Sequence, residues 1–143
     1  MFKNLFAISF ISQISLQQKM EINGIVVKGL GEGAFFMSMP HYRREIKKKL
    51  GFESYPGTLN IKADKIFSFE NLNPIRIEGY SSKGKKFGGA ACFRAKLKNI
   101  TGAVIVPDLT RHDKGIMEFI APVYLRKKLS LKDDDKITIE MLK

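Results

Sequence analysis

The chain has 143 residues, the size of one ordinary domain, and 44% of them are apolar, which excludes disorder and supplies a single buried core. One cysteine, Cys92, excludes an intramolecular disulfide and a cysteine-based metal cluster; it fits a reducing cytoplasm, with the thiol acting as a buried small hydrophobe. A total of 25 Lys and Arg against 14 Asp and Glu gives a net charge of +11, a field that attracts phosphorylated partners without choosing between nucleic acid and nucleotide.

Residues 1–20 read as an N-terminal extension of unknown role ahead of a single domain over 21–143. Lys3 followed by Leu5 to Ile11 resembles the apolar part of a secretion signal, but Gln13, Gln17 and Gln18 interrupt it and no small-x-small cleavage site follows. The run is too short to span a bilayer. An apolar docking arm, or an extension upstream of a start at Met20, is expected rather than export.

From Ile22 to Lys28 a β-branched run reads as the first strand. Gly29-Leu30-Gly31-Glu32-Gly33-Ala34 follows, with glycines at alternate positions that let backbone N–H groups approach a phosphate or sugar. The spacing is not G-x-G-x-x-G, and no Gly-Lys-Ser/Thr follows, so neither a dinucleotide fold nor a P-loop is supported. Phe35 to Met37 then resume a strand. Ser38 is placed to cap a helix with Pro40 in its first turn. In that helix Tyr42, Ile46 and Leu50 make one buried stripe, Gly51 takes the left-handed position past its end, and Arg43, Arg44, Lys47, Lys48 and Lys49 form either a solvated basic face, the preferred reading, or a surface that draws in a polyphosphate.

Pro56-Gly57-Thr58-Leu59-Asn60-Ile61 is the stretch around which the chemistry is arranged. A Pro-Gly turn opens a strand in which Leu59 and Ile61 share one face, Thr58 and Asn60 the other. Outward polar residues are the default of a half-buried strand. The same hydroxyl and carboxamide are also neutral oxygen donors able to complete the shell of Mg²⁺ when phosphates bring the negative charge.

Paired strands are expected over 74–80 and 86–97, joined by a turn at 81–85, with Gly88-Gly89 marking a bulge or a barrel corner. A short apolar strand over 102–107 leads to a polar loop, 108–115, carrying Thr110, Arg111 and His112. Glu118 stands inside the apolar run 116–121 and needs either solvent, as an outward strand residue, or a hydrogen-bonding partner. Pro122 starts a short helix, and 136–142 is the last strand. Many short strands with one real helix indicate a mainly β fold, a closed or nearly closed small barrel.

In order, the segments Gly29 to Ala34, Leu50-Gly51-Phe52-Glu53-x-Tyr55-Pro56-Gly57-Thr58-Leu59-Asn60, Phe87-Gly88-Gly89, Ala103 to Pro107, Ile120-Ala121-Pro122-x-x-Leu125-Arg126 and Leu131-Lys132-Asp133 resemble the archaeal CTP-dependent riboflavin kinases, a small cradle-loop β-barrel family. The resemblance covers residues 22–142. It implies transfer of the γ-phosphoryl of CTP to the 5′-hydroxyl of riboflavin, giving FMN and CDP. It further implies that Gly29, Leu30, Gly31, Glu32, Gly33 and Ala34 wrap the nucleotide and that Val123, Tyr124, Leu125 and Arg126 lie against it. Thr58 and Asn60 would hold Mg²⁺, while Thr110 and Glu118 would contact riboflavin or FMN. Glu118 is also the nearest candidate for a catalytic base. Phe35-Phe36 depart from the tyrosines expected after the glycines, and Asp134 stands where a turn glycine is usual, a conformation Asp tolerates.

The expected partners are thus CTP and riboflavin, with a cytoplasmic monomer and no nucleic acid or membrane. Two other readings compete. Leu125 to Ile137 resembles the pattern of AbrB-type DNA-binding regulators, suited by the net charge but leaving Thr58 and Asn60 unused. A flavin-binding protein without catalysis is the third.

Overall fold

Alternating apolar residues along short strands close into a barrel in the computed structural model, which describes residues 20–29, 31–108 and 115–142. The strands are β1 (Met20–Val27), β2 (Leu59–Ala63), β3 (Ile75–Ile77), β4 (Tyr80–Ser82), β5 (Lys85–Phe87), β6 (Ala90–Leu97), β7 (Ile100–Pro107), β8 (Ile116–Ile120) and β9 (Lys136–Met141). Helices α1 (Glu32–Ser38) and α2 (Pro40–Leu50) follow β1, and a single turn, α3 (Leu125–Lys128), precedes β9. Apart from Met20, with which β1 begins, the extension 1–20 lies outside the described residues. No helix among the described residues is long and apolar enough to cross a membrane.

All pairings are antiparallel, in the order β6-β7-β8-β2-β1-β9, and β9 returns to β6. Closure depends on how β6 divides one edge. Its first residues, Ala90 to Cys92, pair with β3, and its last, Ala95 to Leu97, pair with β9. The six-stranded barrel therefore leaves no open seam, which removes the exposed edges that invite association.

Side-chain alternation sorts the core into two layers. Val26, Leu59, Ile61, Phe93, Leu97, Val104, Phe119 and Ile139 fill the barrel interior. Residues of opposite parity, Cys92, Ala103, Ile105 and Ile120, point out of the barrel and pack under Met37, Tyr42, Ile46 and Leu50. Helix α2 is thus a patch over one side of the wall, held by the expected stripe. Its C-cap Gly51 has φ 86°, as its place in the sequence requires. Arg94 reaches from β6 to donate to the carbonyls of Leu50 and Lys49, satisfying the helix's last turn.

The segment ahead of α2 departs from the expectation of a strand. Residues 32–38, including Phe35, Phe36 and Met37, are helical. Gly31, at φ 83°, reverses the chain, and the helix lets Met37 reach the layer beneath α2 while Phe36 meets Tyr42 edge-on. Packing overrides the weak strand preference of phenylalanine. Ser38 is not the cap of α2 either; Met39 holds the extended cap position with Pro40 first in the helix, and the Ser38 hydroxyl donates back to Phe35 O at 2.7 Å.

The expected strand over 74–80 is divided into β3 and β4, and that over 86–97 into β5 and β6. The break at Gly88-Gly89 is a corner at which the two-stranded β4–β5 hairpin leaves the barrel. The Tyr42 hydroxyl donates to Gly88 O at 2.5 Å and fastens that corner to α2. Cys92 is fully buried, as expected for a lone thiol. Asp134 has φ 72°, the turn conformation for which glycine is usual.

Candidate active site

Strand register lays one row of side chains across the outside of the barrel. Cys92 pairs with Ile105, Ile105 with Glu118, Glu118 with Asn60, and Asn60 with Val27. Directly opposed residues share a face. The row changes character along its length: Cys92 and Ile105 are apolar and covered by α2, whereas Glu118 and Asn60 are polar and each only 8% exposed. Neither is the solvent-facing strand residue that alternation alone suggests.

Thr58, just before β2, adds a third polar group. Its hydroxyl donates to Glu118 Oε1 at 3.0 Å. The roof over all three is the glycine segment. A Cβ on Gly29 would collide with the Asn60 carboxamide, and one on Gly33 would collide with the Thr58 side chain and stand 3.1 Å from Glu118 Oε1. Glycine is needed at both positions for close approach, and at Gly31 for its positive φ.

Wall and roof enclose an open cavity of about 500 Å³. Lys28, Gly29, Gly31, Gly33 and Ala34 line one side, Tyr55 to Asn60 and Glu118 the floor, and Val123 to Arg126 with Asp133 the far side. Arg126 Nη2 donates to Val27 O at 3.2 Å and to Asp133 Oδ1 at 2.8 Å, which ties α3 to the end of β1. The Asn60 Oδ1 atom is buried with no hydrogen-bond partner among the described residues. Such an atom costs about 1–3 kcal/mol unless something satisfies it.

Of the residues singled out in the sequence, Gly29, Gly31, Gly33, Ala34, Thr58, Asn60, Glu118, Val123, Tyr124, Leu125 and Arg126 are brought together around this cavity. Leu30 and Thr110 lie outside the described residues, as does the side chain of Glu32. A family model named CTP-dep_RFKase, described as a domain of unknown function, DUF120, matches residues 26–141. The chain belongs to the CTP-dependent riboflavin kinase family.

Relatives in this family include a protein named riboflavin kinase from Pyrobaculum islandicum, 46% identical over 125 residues, which are 84% of this chain and 59% of the relative. A riboflavin kinase from Pyrococcus furiosus is 45% identical over 125 residues, 85% of this chain and 58% of its own. One from Methanosarcina acetivorans is 39% identical over 129 residues, 87% and 54% respectively. The chain thus spans less than two thirds of the length of these curated relatives.

Phosphoryl transfer by kinases is typically metal-assisted, and the residues of this riboflavin kinase family member fit a hard divalent cation. Asn60 Oδ1 is an acceptor without a donor among the described residues. The Thr58 hydroxyl spends its proton on Glu118, leaving its lone pairs for a cation. Among the described residues no group of three or more His, Cys, Asp and Glu offers an all-protein cage. A cation here would need phosphates and water to complete its shell, as suits Mg²⁺.

Among the lining residues to which sequence reasoning gave no site role are Tyr55, Lys28 and Asp133. Tyr55 directly precedes the Pro-Gly turn, and Lys28 the first glycine, so proximity to a motif was the available signal. The partnership of Thr58 with Glu118, 60 positions apart, had none.

Proposed function

We propose that the chain is a phosphotransferase with an alcohol acceptor, moving the γ-phosphoryl group of CTP to the 5′-hydroxyl of riboflavin to give FMN and CDP. One observation carries the reading: half-buried Thr58 and buried Asn60 and Glu118 form a polar patch roofed by glycines whose backbone closely approaches it, inside a cavity of about 500 Å³. Membership of the family and the riboflavin kinase names of its relatives support it.

In this reading a bond forms between the flavin 5′-oxygen and the γ-phosphorus as the bond from that phosphorus to the β-phosphate oxygen breaks. The hydroxyl proton passes to the Glu118 carboxylate, and CDP leaves with the electron pair. The Glu118 carboxylate is a hydrogen-bond acceptor with about four lone-pair sites, and in this reading it both holds the Thr58 hydroxyl and orients the acceptor. Thr58 and Asn60 would hold Mg²⁺, which when bound would neutralise charge on the triphosphate. The glycine segment contributes N–H groups to phosphate oxygens, and Arg126, fixed by Asp133 and Val27 O, places a cation on the far side. Most of the work is positioning and charge neutralisation, as phosphoryl transfer requires.

The DNA-binding reading loses part of its footing in the same geometry. Arg126, the first basic residue of its pattern, is turned to Val27 O and Asp133, which leaves Lys127, Lys128, Lys132 and Lys136 on the surface. The deciding experiment incubates the protein with riboflavin, Mg²⁺ and each nucleoside triphosphate in turn, then separates the flavins by chromatography. FMN formed with CTP and not with ATP, GTP or UTP is the expected result. No FMN with any of the four overturns the proposal.

A further inference from the structure

The polar patch that would take a cation is covered. Thr58 bonds Glu118 and Glu118 pairs with Asn60, so a cation shared by Thr58 and Asn60 sits on the outer face of the wall beside Glu118. Gly33 rests on that face. Its backbone lies so close to the Thr58 side chain that a Cβ would overlap the hydroxyl, and the same Cβ would stand 3.1 Å from Glu118 Oε1. Mg²⁺ approaches each oxygen to about 2.1 Å and keeps water or phosphate at its remaining positions. Gly33, in contact with Thr58, stands where part of that shell must go.

The helix that carries Gly33 is held unevenly. Its C-terminal half is seated: Met37 is 3% exposed in the layer under α2, Phe36 meets the Tyr42 ring edge-on at 6.0 Å, and just beyond the helix Met39 Sδ accepts from the Tyr80 hydroxyl at 3.3 Å. The N-terminal half has no such anchor among the described residues. Ala34 and Phe35 are exposed, and Gly31 enters the helix at φ 83° with nothing within 4 Å of the place a Cβ would take. A glycine with open space around it changes φ and ψ at little steric cost. By contrast α2 buries Tyr42, Ile46 and Leu50 along its whole length and has its last carbonyls held by Arg94.

We infer that α1 is a lid, hinged at Gly31 and anchored through Met37, which lies closed on Thr58 and Glu118 and lifts to admit a metal-bound nucleotide. The inference rests on the phosphotransferase reading and adds to it a step of opening and reclosing. Asn60 and Glu118 are fixed by the register of β2 with β8, so the floor keeps its place and the roof moves. Reclosure over the phosphates keeps water from the reacting phosphorus, which favours transfer to the flavin alcohol over hydrolysis. A roof fastened at one end serves both needs, since it leaves the floor without losing its seat under α2.

The chain has no tryptophan, so Phe35→Trp puts a single fluorescent reporter on the lid, at a side chain that is 60% exposed. Stopped-flow mixing of this variant with CDP and Mg²⁺ should give a fluorescence change whose rate rises with CDP and then levels off, because opening must precede entry. Met37→Ala in the same background loosens the anchor and should raise that limiting rate by about five-fold or more. Met37→Leu keeps the anchor and should leave it unchanged. Should Met37→Ala not fold, Met37→Val is the milder loosening, with the same direction expected. A rate that climbs in proportion to CDP without a limit, or a limit that loosening Met37 does not raise, overturns the lid and leaves the kinase reading intact. So does an unchanged fluorescence at saturation with CDP, established by calorimetry. A parent protein that binds no CDP in the calorimeter removes the kinase reading and the lid with it.

Discussion

The Thr58 hydroxyl gives its proton to Glu118 Oε1 at 3.0 Å, joining the start of β2 to the middle of β8 inside a roofed cavity. The direction of that bond matters more than its length. With the proton committed to a carboxylate, both lone pairs of the hydroxyl are available to a cation, and the rotor is fixed. Glu118→Gln should therefore do two things. Transfer to the flavin should slow by about 100-fold or more, the scale of a lost general base. The Mg²⁺ concentration for half-maximal rate should also rise, because a neutral amide orients Thr58 less firmly. A variant with the parent's turnover and Mg²⁺ dependence would show that Glu118 does neither.

Asn60 places function and stability in opposition. Its Oδ1 is buried without a partner among the described residues, a penalty of about 1–3 kcal/mol that an apolar side chain of similar size does not carry. Asn60→Leu should leave the thermal midpoint of the free protein unchanged or higher. Turnover should fall by about 100-fold or more, and added Mg²⁺ should no longer strengthen CDP binding. Thr58→Ala combined with Asn60→Ala should abolish Mg²⁺-dependent turnover in a folded protein. If Asn60→Leu loses several degrees of midpoint, the carboxamide is satisfied in solution and is not waiting for a cation.

The roof makes a sharper comparison among glycines. Gly33→Ala and Gly29→Ala would press a methyl group against Thr58 and against the Asn60 carboxamide, so the segment must lift from the wall. Gly31→Ala meets nothing within 4 Å, and its φ of 83° costs only about 1 kcal/mol of backbone strain. The expected result is a rise in KM for the nucleotide of at least about ten-fold for the first two and a much smaller change for Gly31→Ala. Equal effects at all three positions would mean that backbone conformation, not contact with the floor, is what the glycines supply.

Features set by local stereochemistry were legible in the sequence; features set by strand pairing were not. The stripe Tyr42, Ile46 and Leu50, the left-handed Gly51 and Asp134, and the burial of Cys92 each depend on a few neighbouring residues and are found as expected. The aromatic residues of Phe35 to Met37 favour a strand, yet the segment is helical and places Met37 in the layer under α2. Glu118 was ambiguous for a related reason. Alternation specifies two faces, but not that the outer face is roofed by a glycine segment more than eighty positions earlier. The ordered motifs contain Thr58 and Asn60, and the resemblance they carry points to Glu118, while only register and the collisions of absent Cβ atoms explain why the three stand together.

Cys92 provides a clean reporter of global unfolding. Burial pushes the pKa of its thiol up to about 12, and the side chain, on β6, is fully enclosed in the layer under α2. At pH 8 the native thiol is neither ionised nor reachable, and thiolate is the reactive form. A disulfide-exchange reagent such as Ellman's should therefore leave the folded protein unmodified over hours and release one equivalent at once in 6 M guanidinium. Since the chain has one cysteine, the rate in intermediate denaturant reads opening of this layer directly. Prompt labelling of the folded protein at pH 8 would show that α2 detaches from the wall far below the global transition.

Arg76 and Asp108 make the last prediction, and its sign depends on which state holds the proton. Two hydrogen bonds from the guanidinium, 2.8 and 2.7 Å, hold the Asp108 carboxyl below its ordinary range. They tie β3 to the residue after β7, where Asp108 N–H also donates to Gly89 O at 3.0 Å. Because folding lowers this pKa, the stabilisation is fully present above the ordinary aspartate value of about 3.9 and is lost as pH falls through the lower folded value. Both side chains are 45% exposed, so screening limits the pair to about 1 kcal/mol or less. Arg76→Gln should lower the urea midpoint at pH 7 in dilute buffer, by less in 1 M salt, and the gap to the parent should narrow as pH is taken below 4. A gap that stays constant from pH 7 to pH 3 would mean that the arginine acts through packing of its stem on the Gly89 corner, and that its charge contributes nothing.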